Sequence, residues 1–132
     1  MTAPDERYRR GLAVLEKLDP EHGERLVAGL AATAPDFAGH VVAFAFGDIC
    51  GRPGLDLRTR ELATVAALTA LGTAPAQLEV HVRGALNVGA TREEIVEVIT
   101  QMAVYAGFPA ALNGLAVARR VFEARPHGSR ST

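Results

Sequence analysis

Apolar residues recur every three or four positions through most of this chain, and no useful stretch alternates with period two. That spacing predicts helices with one buried stripe each, and an all-α fold. Two short helices are expected over residues 5–18 and 21–32. Asp19-Pro20 parts them, because proline ends the first and is tolerated in the opening turn of the second. A third is expected over residues 36–49, with Phe37, Val41, Phe44 and Ile49 on one buried stripe. Two glycines and a proline in Gly51-Arg52-Pro53-Gly54 then break the pattern.

Asp56 suits the N-cap of a helix reaching Leu71, with Leu62, Val65, Ala66 and Leu68 inward. A helix over residues 75–88 follows the Gly72-Thr73-Ala74-Pro75 punctuation. Thr91-Arg92-Glu93-Glu94 reads as a capping box, in which hydroxyl and carboxylate satisfy reciprocal backbone donors. It opens a helix to Ala106, with Ile95, Val96, Ile99, Met102 and Ala103 inward. A last helix, Pro109 to Glu123, carries Leu112, Leu115, Val117 and Val121. Residues 5–124 are expected to form one helical domain, with 125–132 a flexible tail that includes His127, and residues 1–4 frayed as well.

Two titratable residues fall on apolar stripes. Glu61 shares the spacing of Val65 and Leu68, and His81 that of Leu78, Val82 and Ala85. A carboxylate and an imidazole aimed at a core are costly unless paired or used. Two readings stand at this point: an ion pair that fixes helix register, or two groups lining a pocket. His22 and His40 read as surface positions near helix starts or faces. No histidine has a metal-ligand spacing to another His, Asp or Glu, so no metal site is expected.

Composition narrows the classes. Of 132 residues, 48% are hydrophobic and only 5% aromatic, which favours close-packed helices over a sheet. The net charge of −1 provides no basic field for nucleic acid. Apolar windows are interrupted well before the ~18 residues that span a bilayer, so no membrane partner is expected. The charged start Met1-Thr-Ala-Pro-Asp lacks the apolar core of a signal peptide, and Cys50 is the single cysteine. A cytoplasmic protein without an intrachain disulfide is the expectation.

Several short motifs, each weak alone, occur in a telling order. They are Arg52-Pro53-Gly54-Leu55, Arg58-Thr59-Arg60, His81-Val82-Arg83-Gly84-Ala85, Asn87-Val88-Gly89-Ala90-Thr91 and Tyr105-Ala106-Gly107-Phe108-Pro109-Ala110. With this order and spacing the chain resembles the carboxymuconolactone decarboxylase family, of the alkylhydroperoxidase D-like type, over nearly its whole length. The resemblance implies an all-helical fold assembled as homo-trimers or homo-hexamers, with the pocket partly built by neighbouring subunits. It also implies decarboxylation of 4-carboxymuconolactone, a small anionic lactone of aromatic catabolism (the β-ketoadipate pathway), without a cofactor.

Under that resemblance, His81 is the candidate catalytic proton donor or oxyanion stabiliser, since its reference pKa near ~6.5 suits transfer near neutrality. Glu61 is the candidate to orient or recharge it. Arg52, Arg58 and Arg83 are candidate substrate-binding clamps, because guanidinium forks match carboxylates. Their alternative is a solvated face or ion pairs between subunits. Asn113 is a candidate hydrogen-bond donor to the ligand or a bridge between helices. Cys50 stands where a decarboxylase relative typically has a large aromatic residue, which either enlarges the pocket or marks a small buried side chain.

Two alternatives accompany this reading. One is a family member repurposed to bind or convert another small lactone, quinone or polyketide. The other is a peroxidase using a Cys-x-x-Cys relay, but Ala74 and Gln77 occupy the positions of its two thiols. A relay that closes a disulfide cannot run on Cys50 alone.

Overall fold

A computed structural model describes residues 5–125, so the expectations for residues 1–4 and 126–132, His127 among them, lie outside the described residues. Every regular element among the described residues is a helix, and none is a strand. None of their helices is long and apolar enough to cross a membrane. Contacts divide the chain into two units, Met1–Asp56 and Leu57–Thr132, and each is described by itself.

The first unit holds α1 (Glu6–Leu18), α2 (His22–Leu30) and α3 (Phe37–His40), the last running directly into a π-helical segment, Val41–Cys50. Asp5 caps α1 by accepting from the Tyr8 amide at 2.9 Å. Asp19 leaves the helix in an extended conformation. Its carboxylate then accepts from the Glu21 amide at 3.2 Å and from Arg25 at 2.8 Å, which sets the entry into α2.

α1 packs on the π-helical segment backbone to backbone. A Cβ at Gly11 would overlap the Val42 carbonyl, and one at Gly47 would overlap the Arg7 carbonyl. Only glycine permits that approach. Asp48 fastens the crossing through Arg7, at 2.8 Å, and Arg10, at 3.3 Å.

Here the expected stripe is corrected. Phe37, Phe44 and Ile49 are exposed, and the buried set is Ala38, Val42, Ala43, Phe46 and Gly47. A π-helical ladder closes each ring one residue later than an α-helix, so it turns a different row inward. His22, expected at the surface, opens α2 half-buried, with its ring edge-on to Phe46 at 6.3 Å.

The second unit holds α4 (Leu57–Leu71), α5 (Pro75–Asn87), α6 (Arg92–Ala106) and α7 (Phe108–Ala124). Its core is Val65, Leu78, Val82, Ala85, Leu86, Ile95, Ile99, Val117, Ala118 and Val121, all nearly inaccessible. Each buried Val, Leu or Ile side chain among them stabilises the fold by roughly 1.5–3 kcal/mol relative to exposure. The capping box at Thr91 forms as expected: its hydroxyl accepts from the Glu94 amide at 3.0 Å, and Glu94 accepts from the Thr91 amide at 2.9 Å.

Gly107, with φ of 95°, turns α6 into α7 within one residue. Around that corner Leu112 is exposed, as are Val104, Tyr105 and Phe108. Arg125, expected in the tail, is instead the C-cap of α7. It donates to Asn87 Oδ1 at 2.9 Å.

Candidate active site

The core stripe of α4 runs Glu61, Val65, Thr69, four residues apart, so the helix turns a carboxylate, a methyl pair and a hydroxyl inward together. Glu61 is 1% exposed. α5 brings His81 opposite it, because Leu78, Val82 and Ala85 on the same face are drawn into the core. His81 Nδ1 and Glu61 Oε1 lie 2.8 Å apart, and the His81 side chain keeps 18% of its surface. With the carboxylate ionised, Nδ1 is the donor in this bond, because a carboxylate only accepts. The bond holds the ring at one orientation on α5.

Arg58 and Arg83 flank the pair in sequence, and both engage carboxylates. Arg58, in the first turn of α4, reaches Glu94 of the capping box. The Thr91 amide and then the Arg58 guanidinium hold the Glu94 carboxyl below the usual glutamate range. Arg83 pairs with Glu79 one turn earlier on α5, at 3.0 Å. Asn113 is exposed on α7, at the rim of a narrow cavity lined also by Thr69, Gly72, Ala74, Pro75, Leu78 and Gly114. Arg52, exposed, and Cys50, half-buried, belong to the first unit. Of the candidates, then, the structure joins His81 and Glu61 to each other.

Three features were missed from sequence. Thr69 is 1% exposed and its hydroxyl has no hydrogen-bond partner. Its spacing from Glu61 and Val65 was the available signal. Arg92 lies over the Phe122 ring at 5.1 Å and donates to the Phe122 and Arg125 carbonyls, placing a cation on the C-terminus of α7. Burial, with Arg92 and Arg83 nearby, pushes the Arg125 guanidinium below its usual range.

A second groove, of about 760 Å³, lies in the first unit against Tyr8, Val27, Asp36 and His40, and includes neither Glu61 nor His81. Among the described residues no three His, Cys, Asp or Glu side chains converge as metal ligands.

An all-α chain whose two central helices bury a carboxylate against a half-open imidazole defines a class of small helical protein with a built acid–base pair. The family model for the carboxymuconolactone decarboxylase family matches residues 35–120. The chain is 38% identical to 4-carboxymuconolactone decarboxylase of Acinetobacter baylyi over 90% of its own length and 89% of that protein's. It is also 38% identical to an uncharacterised 15.0 kDa protein of Paracoccus denitrificans, over 82% and 76% of the two chains. Nitrosuccinic acid decarboxylase of Metarhizium robertsii is 35% identical over 61% of this chain and 55% of that protein. The chain belongs to the carboxymuconolactone decarboxylase family.

Proposed function

We propose that this protein is a decarboxylase of a small carboxylated lactone, 4-carboxymuconolactone or a close analogue, in which His81 moves the proton and Glu61 orients it. The observation that carries this reading is the 2.8 Å bond from His81 Nδ1 to the buried Glu61 carboxylate. In the reaction the bond between ring carbon and carboxylate breaks and carbon dioxide leaves. The electron pair passes through the conjugated double bond to the lactone carbonyl oxygen, giving a dienolate. Nε2 of a protonated His81 then delivers a proton to carbon, and water restores the imidazolium. Glu61 balances the charge of that imidazolium and holds the ring at one angle throughout.

Binding the substrate carboxylate falls to arginine in this scheme. Arg58 and Arg83 are the nearest in sequence to the pair, and each must exchange or share a carboxylate partner, Glu94 or Glu79, when substrate arrives. Asn113 joins the proposed binding set from α7. The relative named nitrosuccinic acid decarboxylase supports keeping the substrate class broader than lactones. Protonating a carbon of the anion that carbon dioxide leaves behind makes the same demand on His81 whether a carbonyl or a nitro group holds the electrons.

The same reading includes a homo-trimer or homo-hexamer. Val104, Tyr105 and Phe108 are 73–77% exposed at one corner, more apolar surface than a lone helical unit usually leaves in water. Light scattering of dilute protein is expected to give a multiple of the chain mass, and a stable monomer would overturn the assembly. For the activity, purified protein is mixed with 4-carboxymuconolactone and followed by ultraviolet absorbance and released carbon dioxide. Turnover is expected. Binding of the lactone without carbon dioxide release would favour a repurposed binding protein instead.

A further inference from the structure

We propose that the cavity between the C-terminal end of α4 and the N-terminal end of α5 is a binding site for one water molecule, held by the Thr69 hydroxyl. It rests on α4, α5 and α7 alone, and it shares only Asn113 with the decarboxylase reading.

Three observations converge on it. Thr69 Oγ1 is buried in a residue only 1% exposed, with no hydrogen-bond partner. A threonine inside a helix ordinarily gives its proton to the carbonyl one turn earlier, so an unpaired hydroxyl at this depth calls for another acceptor or donor. The hydroxyl lines a cavity of about 20 Å³. That is enough room for a single water.

The cavity is also polar at its ends. Its wall includes Gly72, Ala74 and Pro75, where α4 finishes and α5 begins. No side chain caps α5: Ala74 stands at the N-cap position, and Pro75 brings no N–H of its own. The first-turn amides of a helix have no intrahelical acceptor, and they favour an oxygen placed before them. The side chain of Asn113 lines the same space from α7 and offers both a donor and an acceptor. A water there finds the two to four polar partners that buried waters require.

The space cannot collapse onto the hydroxyl. Gly114 already brings α7 so near that a Cβ would stand 3.1 Å from Thr69 Oγ1 and 2.9 Å from Thr69 Cγ2. The water would therefore tie three helices of the second unit at one point, two turns along α4 from Glu61.

The test is Thr69→Val, which keeps the shape and removes the hydroxyl. If a water is held, the variant strands it and the helix start it serves, and Tm is expected to fall by about 3–8 °C. If the hydroxyl is dry, the valine removes a buried unpaired group, so an unchanged or higher Tm would overturn the proposal. A high-resolution crystal structure of the full wild-type chain gives a second reading that needs no variant. It is expected to hold one water within hydrogen-bonding distance of Thr69 Oγ1, and clear density without one there would also overturn the site.

Discussion

Arg58, in the first turn of the helix that carries Glu61, reaches Glu94, the residue that closes the capping box of α6. One carboxylate thus serves two ends at once, receiving the Thr91 amide and a guanidinium from α4. Both hold its pKa down in the folded state. Stability from such a group is complete above the unfolded glutamate value and is lost as pH falls through that value to the lower folded one. The acid limb of a Tm-against-pH curve is therefore expected to flatten in Glu94→Gln, most visibly between about pH 5 and pH 3. A slope identical to wild type would refute the assignment.

His81→Ala is expected to lower kcat by ~100-fold or more, the usual scale for losing a general acid. Glu61→Gln keeps the shape without the charge and is expected to cost less turnover. Measuring kcat beside Tm separates chemistry from structure. A folded His81→Ala protein with unchanged kcat would end the mechanism, and loss of Tm with kcat intact would leave the pair as a structural tie.

The thiol carries no step in this scheme. Cys50→Ser is expected to leave kcat within about tenfold, a change of ~1.4 kcal/mol. Abolition of a peroxide-dependent turnover by that substitution would bring back the thiol peroxidase.

Gly11→Ala drives a methyl group into the Val42 carbonyl, a backbone atom with no rotamer to escape into. α1 must back away from the π-helical segment, at a cost of about 3 kcal/mol or more. Urea unfolding is expected to show a midpoint well below wild type. An unchanged midpoint would mean the crossing is looser than described.

Most of the second unit was legible in the sequence. Its helix ends follow from local chemistry: Pro75 at the start of α5, Thr91 and Glu94 at the start of α6, and Gly107 between α6 and α7. That Glu61 and His81 turn inward also followed, since each sits at helical spacing from residues that must be buried, whereas their 2.8 Å bond to each other was one of two readings left open. What stayed hidden depends on partners distant along the chain. The Arg58–Glu94 tie spans 36 positions. The stray hydroxyl of Thr69 is defined by an α7 glycine 45 positions away. Phe46 was absent from the expected stripe for a related reason: whether it points inward depends on the backbone ladder beneath it.

That dependence has a consequence for residues 37–50 as a piece of chain. A π-helical run is rarely the intrinsic preference of a sequence, and here its buried row is the one pressed against α1. Cut out as a peptide, in a solvent that promotes helix, the segment would wind with ordinary i to i−4 bonds. Phe37, Val41 and Phe44 would then gather on one side, as their spacing suggests. Within the intact protein the segment keeps the π-helical frame with its buried row against α1, so in this part of the molecule the secondary structure and the tertiary contact stand together.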